Sequence, residues 1–199
     1  MLKRMMVLSM VMITVAVLSA EELALKAEIP LADLELLDVS GEKTTLAGVK
    51  GDEGLVVIFS CNTCPWVRAW EGRYVELAAT YQDRGIGFIA LNSNSASRDR
   101  GENYADMQQY AKDQGYNFSY AVDEGSRLAT AFGATRTPHV FIFNGEGRLV
   151  YRGAIDDNAR NPDKVEQAYA ALACEALLGG REPVAASTKA LGCAIKYSD

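Results

Sequence analysis

The chain has 199 residues, with 20 Lys and Arg against 26 Asp and Glu, a net charge of −6, and 49% hydrophobic residues. That apolar share suits a cored α/β domain rather than a disordered chain. An acidic balance with no basic cluster excludes nucleic acid and anionic membrane surfaces from the expected partners.

Residues 1–20 read as an export signal, with Lys3 and Arg4 ahead of an apolar core from Met5 to Val17 and small Ser19-Ala20 at the exit. A cut after Ala20 places Leu18 where a small residue is preferred, so an uncleaved N-terminal anchor is the alternative, and the one route to a membrane. The expected location is periplasmic or secreted. Residues 21–199 are expected to form a single domain ending in a tail, 181–199.

Leu34 to Val39 and Thr44-Thr45-Leu46 flank the turn Ser40-Gly41-Glu42 and predict a hairpin. The run 55–60 is apolar nearly throughout, as a strand covered on both faces should be. Val67, Trp70, Tyr74, Leu77, Ala78 and Tyr81 then share one helical face, which Gly85 closes. A second buried strand is expected at 86–91, and Tyr104, Met107 and Ala111 stripe another helix.

Ser126 to Phe132 predicts a short helix capped by Gly133. Val140 to Phe143 and Arg148 to Tyr151, around Asn144-Gly145-Glu146-Gly147, predict an antiparallel hairpin. Asn161-Pro162-Asp163 carries the cap, the first-turn proline and the acid of a helix start, and Gly179-Gly180 its stop. The order gives an α/β fold: a central mixed sheet flanked by helices, strands 55–60 and 86–91 parallel, with an N-terminal hairpin extension.

The strand at 55–60 runs into Cys61-Asn62-Thr63-Cys64-Pro65, where the helix opens. Unpaired N–H groups and the positive end of the macrodipole favour a thiolate there, and a second cysteine one turn on can close a disulfide. Zinc would need a second Cys or His pair at short spacing, which Cys174, Cys193 and the lone His139 do not supply. No metal or organic cofactor is required.

With these elements the chain resembles the thioredoxin-like superfamily, and within it the AhpC/TSA-like thioredoxin family proteins, from about Ile29 to Tyr197. The motifs are Phe59-Ser60-Cys61-Asn62-Thr63-Cys64-Pro65-Trp66, Thr137-Pro138-His139-Val140-Phe141, and Leu149-Val150-Tyr151-Arg152-Gly153 leading to Asp156-Asp157. Gly192-Cys193-Ala194-Ile195-Lys196-Tyr197 is similar to a C-terminal segment of one subgroup.

The resemblance implies a thioredoxin-like fold, Cys61 as attacking thiol and Cys64 as resolving thiol. It also implies a cis peptide at Pro138, so that Thr137 presents a backbone edge to an extended substrate, with Trp66 on the active-site rim. The buried acid that many thioredoxins carry six residues before the first cysteine is Leu55 here, leaving Glu71 and Glu124 as substitutes for proton transfer.

His139 reads either as a modulator of the dithiol or as a strand-start residue turned elsewhere. Cys174 falls off the stripe Val165, Tyr169, Leu172 and Ala176, which suits inert packing. A Cys174–Cys193 bridge would close a loop of about 19 residues and stabilise by roughly 3 kcal/mol; the alternative makes Cys193 a further resolving thiol. Asp156-Asp157 reads as a solvated turn.

The leading expectation is a thiol–disulfide oxidoreductase acting on a disulfide- or dithiol-bearing exported protein. A peroxiredoxin-like peroxidase is the rival, but Ile58 and Gly54 stand where its Thr and Pro should be. A copper-delivery or binding module using Cys61, Cys64 and His139 is the other.

Overall fold

The computed structural model describes residues 21–198, so the expected export segment 1–20 lies outside it. Seven strands form one mixed sheet in the order β2-β1-β5-β4-β3-β7-β8. They are β1 (Leu36–Asp38), β2 (Lys43–Thr44), β3 (Gly54–Ser60), β4 (Ile86–Asn92), β5 (Ser119–Val122), β7 (His139–Asn144) and β8 (Leu149–Gly153). The short strands β6 (Arg136–Thr137) and β9 (Cys193–Ala194) form a separate pair.

β3 is the axis of the molecule. Every residue in it is buried, because it pairs parallel with β4 on one side and antiparallel with β7 on the other, and both sheet faces are covered. Side chains alternate across the pleat. Val56 and Ile58 pack with helix α2 (Pro65–Tyr81) and helix α5 (Tyr169–Leu178), whereas Leu55, Val57 and Phe59 pack with α1 (Leu46–Val49) and α4 (Arg127–Phe132). The stripe Val67, Trp70, Tyr74, Leu77, Ala78 and Tyr81 is the buried face of α2, as its spacing predicts.

α3 (Tyr104–Asp113) is capped by the Asn103 side chain, which accepts from Asp106 N–H, and Met107 and Ala111 are its buried residues. α4 ends at Gly133 with φ +61°, the left-handed cap expected there. The strand β5 had no counterpart in the sequence expectations; it places Tyr120 and Ala121 beside β4 and joins the N-terminal hairpin to the sheet.

The end of the chain departs from the expected pattern. Asn161 caps, but only a single 3₁₀ turn at Pro162–Lys164; the backbone is extended by Val165. The cause is Asp157, whose carboxylate accepts the N–H groups of Glu166 and Gln167 at 3.1 Å each, taking donors a continuing helix would need. α5 therefore starts at Tyr169 and its buried face is shifted from the expected stripe: Ala170, Ala173 and Cys174 are buried with Ala176, the one stripe residue that is, and Leu172 is 54% exposed.

Asp156 is not a solvated turn residue. It is 3% exposed, accepts from Trp70 Nε1 at 2.8 Å and forms an ion pair with Arg73, tying the segment after β8 to α2. Among the described residues no helix is long and apolar enough to cross a membrane.

Candidate active site

Cys61 follows the last residue of β3, and Cys64 is the N-cap of α2 with Pro65 at its first position. Pro suits that position because the missing N–H is one the helix start leaves unpaired anyway. Both sulfurs face the Thr137-Pro138 turn, whose peptide bond is cis. Cys61 Sγ lies 3.4 Å from Thr137 Oγ1, and Cys64 Sγ 3.2 Å from the Thr137 carbonyl oxygen.

A third sulfur completes the group. β9 pairs antiparallel with β6, Cys193 opposite Thr137, and Cys193 Sγ is 2.7 Å from Cys64 Sγ. Cys61 and Cys64 are 1% and 3% exposed beneath this strand, while Cys193 is partly exposed. The expected Cys174–Cys193 bridge is not formed: Cys174 is fully buried in the α5 core, its thiol pushed up to about 12, chiefly by burial. All four cysteines are free.

The two thiols are shifted in opposite directions in this conformation. The Cys61 thiol is pushed up by its hydrogen bond with Cys64, then by burial, then by the negative charge of Glu102. Cys64 is brought down to about 4, chiefly by the hydrogen bond with Cys61 and further by Cys193, against the opposing effect of burial.

A carboxylate does stand behind the dithiol, and it is Glu102. Fully buried, it accepts from Asn62 N–H at 2.9 Å, Thr63 N–H at 3.1 Å, Thr63 Oγ1 at 2.6 Å and Asn92 Nδ2 at 2.7 Å. It thus holds the two residues between the cysteines. Asn62 is fastened further by Tyr120, whose hydroxyl donates to Asn62 Oδ1 at 2.8 Å. Neither substitute expected from the sequence serves: Glu71 is bound by the Tyr110 hydroxyl, and Glu124 is exposed ahead of α4.

His139 is not a modulator of the dithiol. Register places it opposite Phe59, on the sheet face away from α2, with its ring 4.4 Å from that of Phe141. Burial, and then the nearby Arg152, hold its imidazole down at about 4. The copper set Cys61, Cys64 and His139 is therefore split between two faces, and among the described residues no three His, Cys, Asp or Glu side chains are grouped to hold a metal ion.

The buried histidine has a consequence for stability. The unfolded chain takes up a proton as pH falls below about 6.5, which the folded chain refuses until about 4. The stability contributed is fully present above 6.5 and is lost as pH falls through that window, about 3 kcal/mol in all. Urea unfolding at pH 7 and pH 4.5 should show a larger loss for wild type than for His139→Phe; equal losses would contradict this.

Trp66 is partly buried, stacked at a tilt on Trp70 with centroids 5.9 Å apart, and stands on the rim beside Cys193. Thr137 is fully buried, and its outward backbone edge is occupied by β9.

The Redoxin family model matches residues 24–172. An uncharacterised conserved protein of Geobacillus kaustophilus is similar at 35% identity, with a TM-score of 0.80 over 88% of this chain and 93% of that one. A secreted Mycobacterium tuberculosis disulfide oxidoreductase shares the fold at 16% identity, TM-score 0.50, over 58% of this chain and 79% of its own. Xanthomonas campestris peroxiredoxin Q does so at 19% identity, TM-score 0.56, over 78% and 95%. None of the curated proteins matches in sequence.

Proposed function

The chain belongs to the Redoxin family, a family of redox enzymes with a thioredoxin-like fold, and from that premise we propose that it is a thiol–disulfide oxidoreductase working through Cys61 and Cys64 on exported protein partners. The observation that carries this is the dithiol itself. Two sulfurs lie at the junction of a buried strand and a helix N-terminus, both against the cis Thr137-Pro138 turn, Cys61 Sγ 3.4 Å from Thr137 Oγ1 and Cys64 Sγ 3.2 Å from the Thr137 carbonyl oxygen. Exchange needs one attacking thiolate and one thiol within reach to displace the product. In the reducing direction a sulfur of the pair attacks a partner disulfide, its neighbour resolves the mixed disulfide, and Cys61–Cys64 is left oxidised.

The Cys61-first order that the family resemblance implies requires β9 to move, because Cys61 is 1% exposed beneath it. Trapping tests both points. Cys64→Ser, offered insulin or an extract of exported proteins, should accumulate mixed disulfides through Cys61; capture by Cys61→Ser instead would give the attack to Cys64. Adducts from neither variant above the Cys61→Ser/Cys64→Ser level would overturn the reading. The peroxidase alternative has no comparable support, since Ile58, buried in β3, carries no hydroxyl to bind peroxide.

A further inference from the structure

The Cys61–Cys64 reading leaves the C-terminal segment unexplained, yet that segment is built into the site. β6 is the strand edge an extended partner would pair with on its way to the dithiol. The chain fills this edge with its own residues, Arg136 opposite Ala194 and Thr137 opposite Cys193. A β-carbon at Gly192 would lie 2.1 Å from the Thr137 carbonyl oxygen, so only glycine lets the segment approach this closely.

Beyond Cys193 the anchoring continues. Ile195 is 5% exposed in the core and its N–H donates to the Thr135 carbonyl at 3.1 Å. Lys196 N–H donates to Asn94 Oδ1 at 2.9 Å, and the Tyr197 hydroxyl to the Ala134 carbonyl. Backbone pairing on one side and a buried side chain on the other thus hold the Cys193 sulfur 2.7 Å from that of Cys64.

We propose that Cys193 is a third redox-active thiol, and that the segment Gly192–Tyr197 acts as an internal substrate of the dithiol. This rests on the oxidoreductase reading and adds one step to it. After a partner disulfide has been reduced and Cys61–Cys64 has formed, the Cys193 thiolate attacks Cys64 Sγ. The Cys64–Cys193 bond forms and the Cys61–Cys64 bond breaks. The electron pair leaves on Cys61 Sγ, which takes the proton Cys193 gave up; no electrons enter or leave the chain.

A dithiol-bearing partner then attacks the partly exposed Cys193, displacing Cys64, and leaves as a disulfide with both chain thiols restored. In the reduced protein, burial and the neighbouring Cys64 push the Cys193 thiol up to about 11. Once Cys64 is in a disulfide that neighbouring influence is gone, while the Trp66 N–H and Lys196 still favour the Cys193 thiolate.

The test is a linkage map. Reduced protein is treated with one equivalent of diamide, blocked with N-ethylmaleimide, digested and read by mass spectrometry, beside an insulin-reduction assay. Wild type should yield Cys64–Cys193 peptides with Cys61 alkylated, and Cys61→Ser should form the same link. Gly192→Val, which leaves every sulfur in place, should lower that link about tenfold or more by forcing the strand off its edge. Cys61–Cys64 alone in wild type, with no internal disulfide in Cys61→Ser, would overturn the proposal while normal insulin turnover kept the dithiol reading. Absent insulin turnover would instead strike that reading, and the relay with it.

Discussion

Cys64→Ser is expected to bring disulfide reduction down to the rate of buffer, with the Cys61→Ser/Cys64→Ser variant no lower, whereas Cys61→Ser should keep only the turnover that Cys64 and Cys193 can carry between them. Attack and resolution are two halves of one exchange and Cys64 takes part in both pairs, so losing it stops turnover and a second loss adds nothing. Insulin reduction driven by an external dithiol measures it. Serine occupies nearly the volume of cysteine but places a hydroxyl in a site where Cys61 is 1% and Cys64 3% exposed, so thermal unfolding must accompany the assay. A folded variant with turnover near that of wild type would remove the dithiol from the mechanism.

The strand at 55–60, helix α2 and the hairpin β7–β8 were legible in the sequence because each writes its own pattern: a continuous apolar run, a 3.6-residue stripe, and turn chemistry between two β-prone segments. The dithiol was legible for the same reason, since its residues and the strand and helix that hold them are contiguous. β5 was not, being a four-residue strand with two buried positions whose existence depends on pairing with β4. The false helix start at Asn161 shows the opposite failure. Its local signals are real and produce one turn, but Asp157, several residues earlier, captures the next donors.

The site itself was half legible. Cys193 and the segment around it could be matched to a subgroup pattern, but their place beside Cys64 arises from a two-residue strand pairing that sets Cys193 opposite Thr137, 56 positions earlier, which no periodicity encodes. The burial of the dithiol was hidden for the same reason, since the strand paired beside it comes from the far end of the chain. Of the two readings open for His139, the strand-start residue turned away from the dithiol is the one that holds. Alternation along β7 turns it to the opposite face, an outcome fixed once its register against Phe59 is known.

Glu102→Ala is expected to be among the most destabilising single changes in this protein, because the carboxylate is the acceptor for four donors and has no solvent to replace it. Removing it strands the N–H groups of Asn62 and Thr63 and the amide of Asn92, each at a cost of about 1–3 kcal/mol when buried, for roughly 5 kcal/mol in all. That is comparable with the whole stability of many domains, about 5–15 kcal/mol. Glu102→Gln should cost less, about 1–3 kcal/mol, because one amide oxygen still accepts while the NH₂ faces donors. Urea midpoints order the two variants.

The glutamine variant also separates a positioning role from a merely structural one. The Glu102 charge is one of the causes that keep the Cys61 thiol up, so its removal should bring that thiol down and speed its alkylation by iodoacetamide at fixed pH. Wild-type rates in Glu102→Gln would leave Glu102 a brace for the loop and nothing more. Faster alkylation confined to Cys61, with the fold intact, would show that a residue 41 positions away in sequence sets the protonation of the dithiol through charge as well as through the backbone it holds.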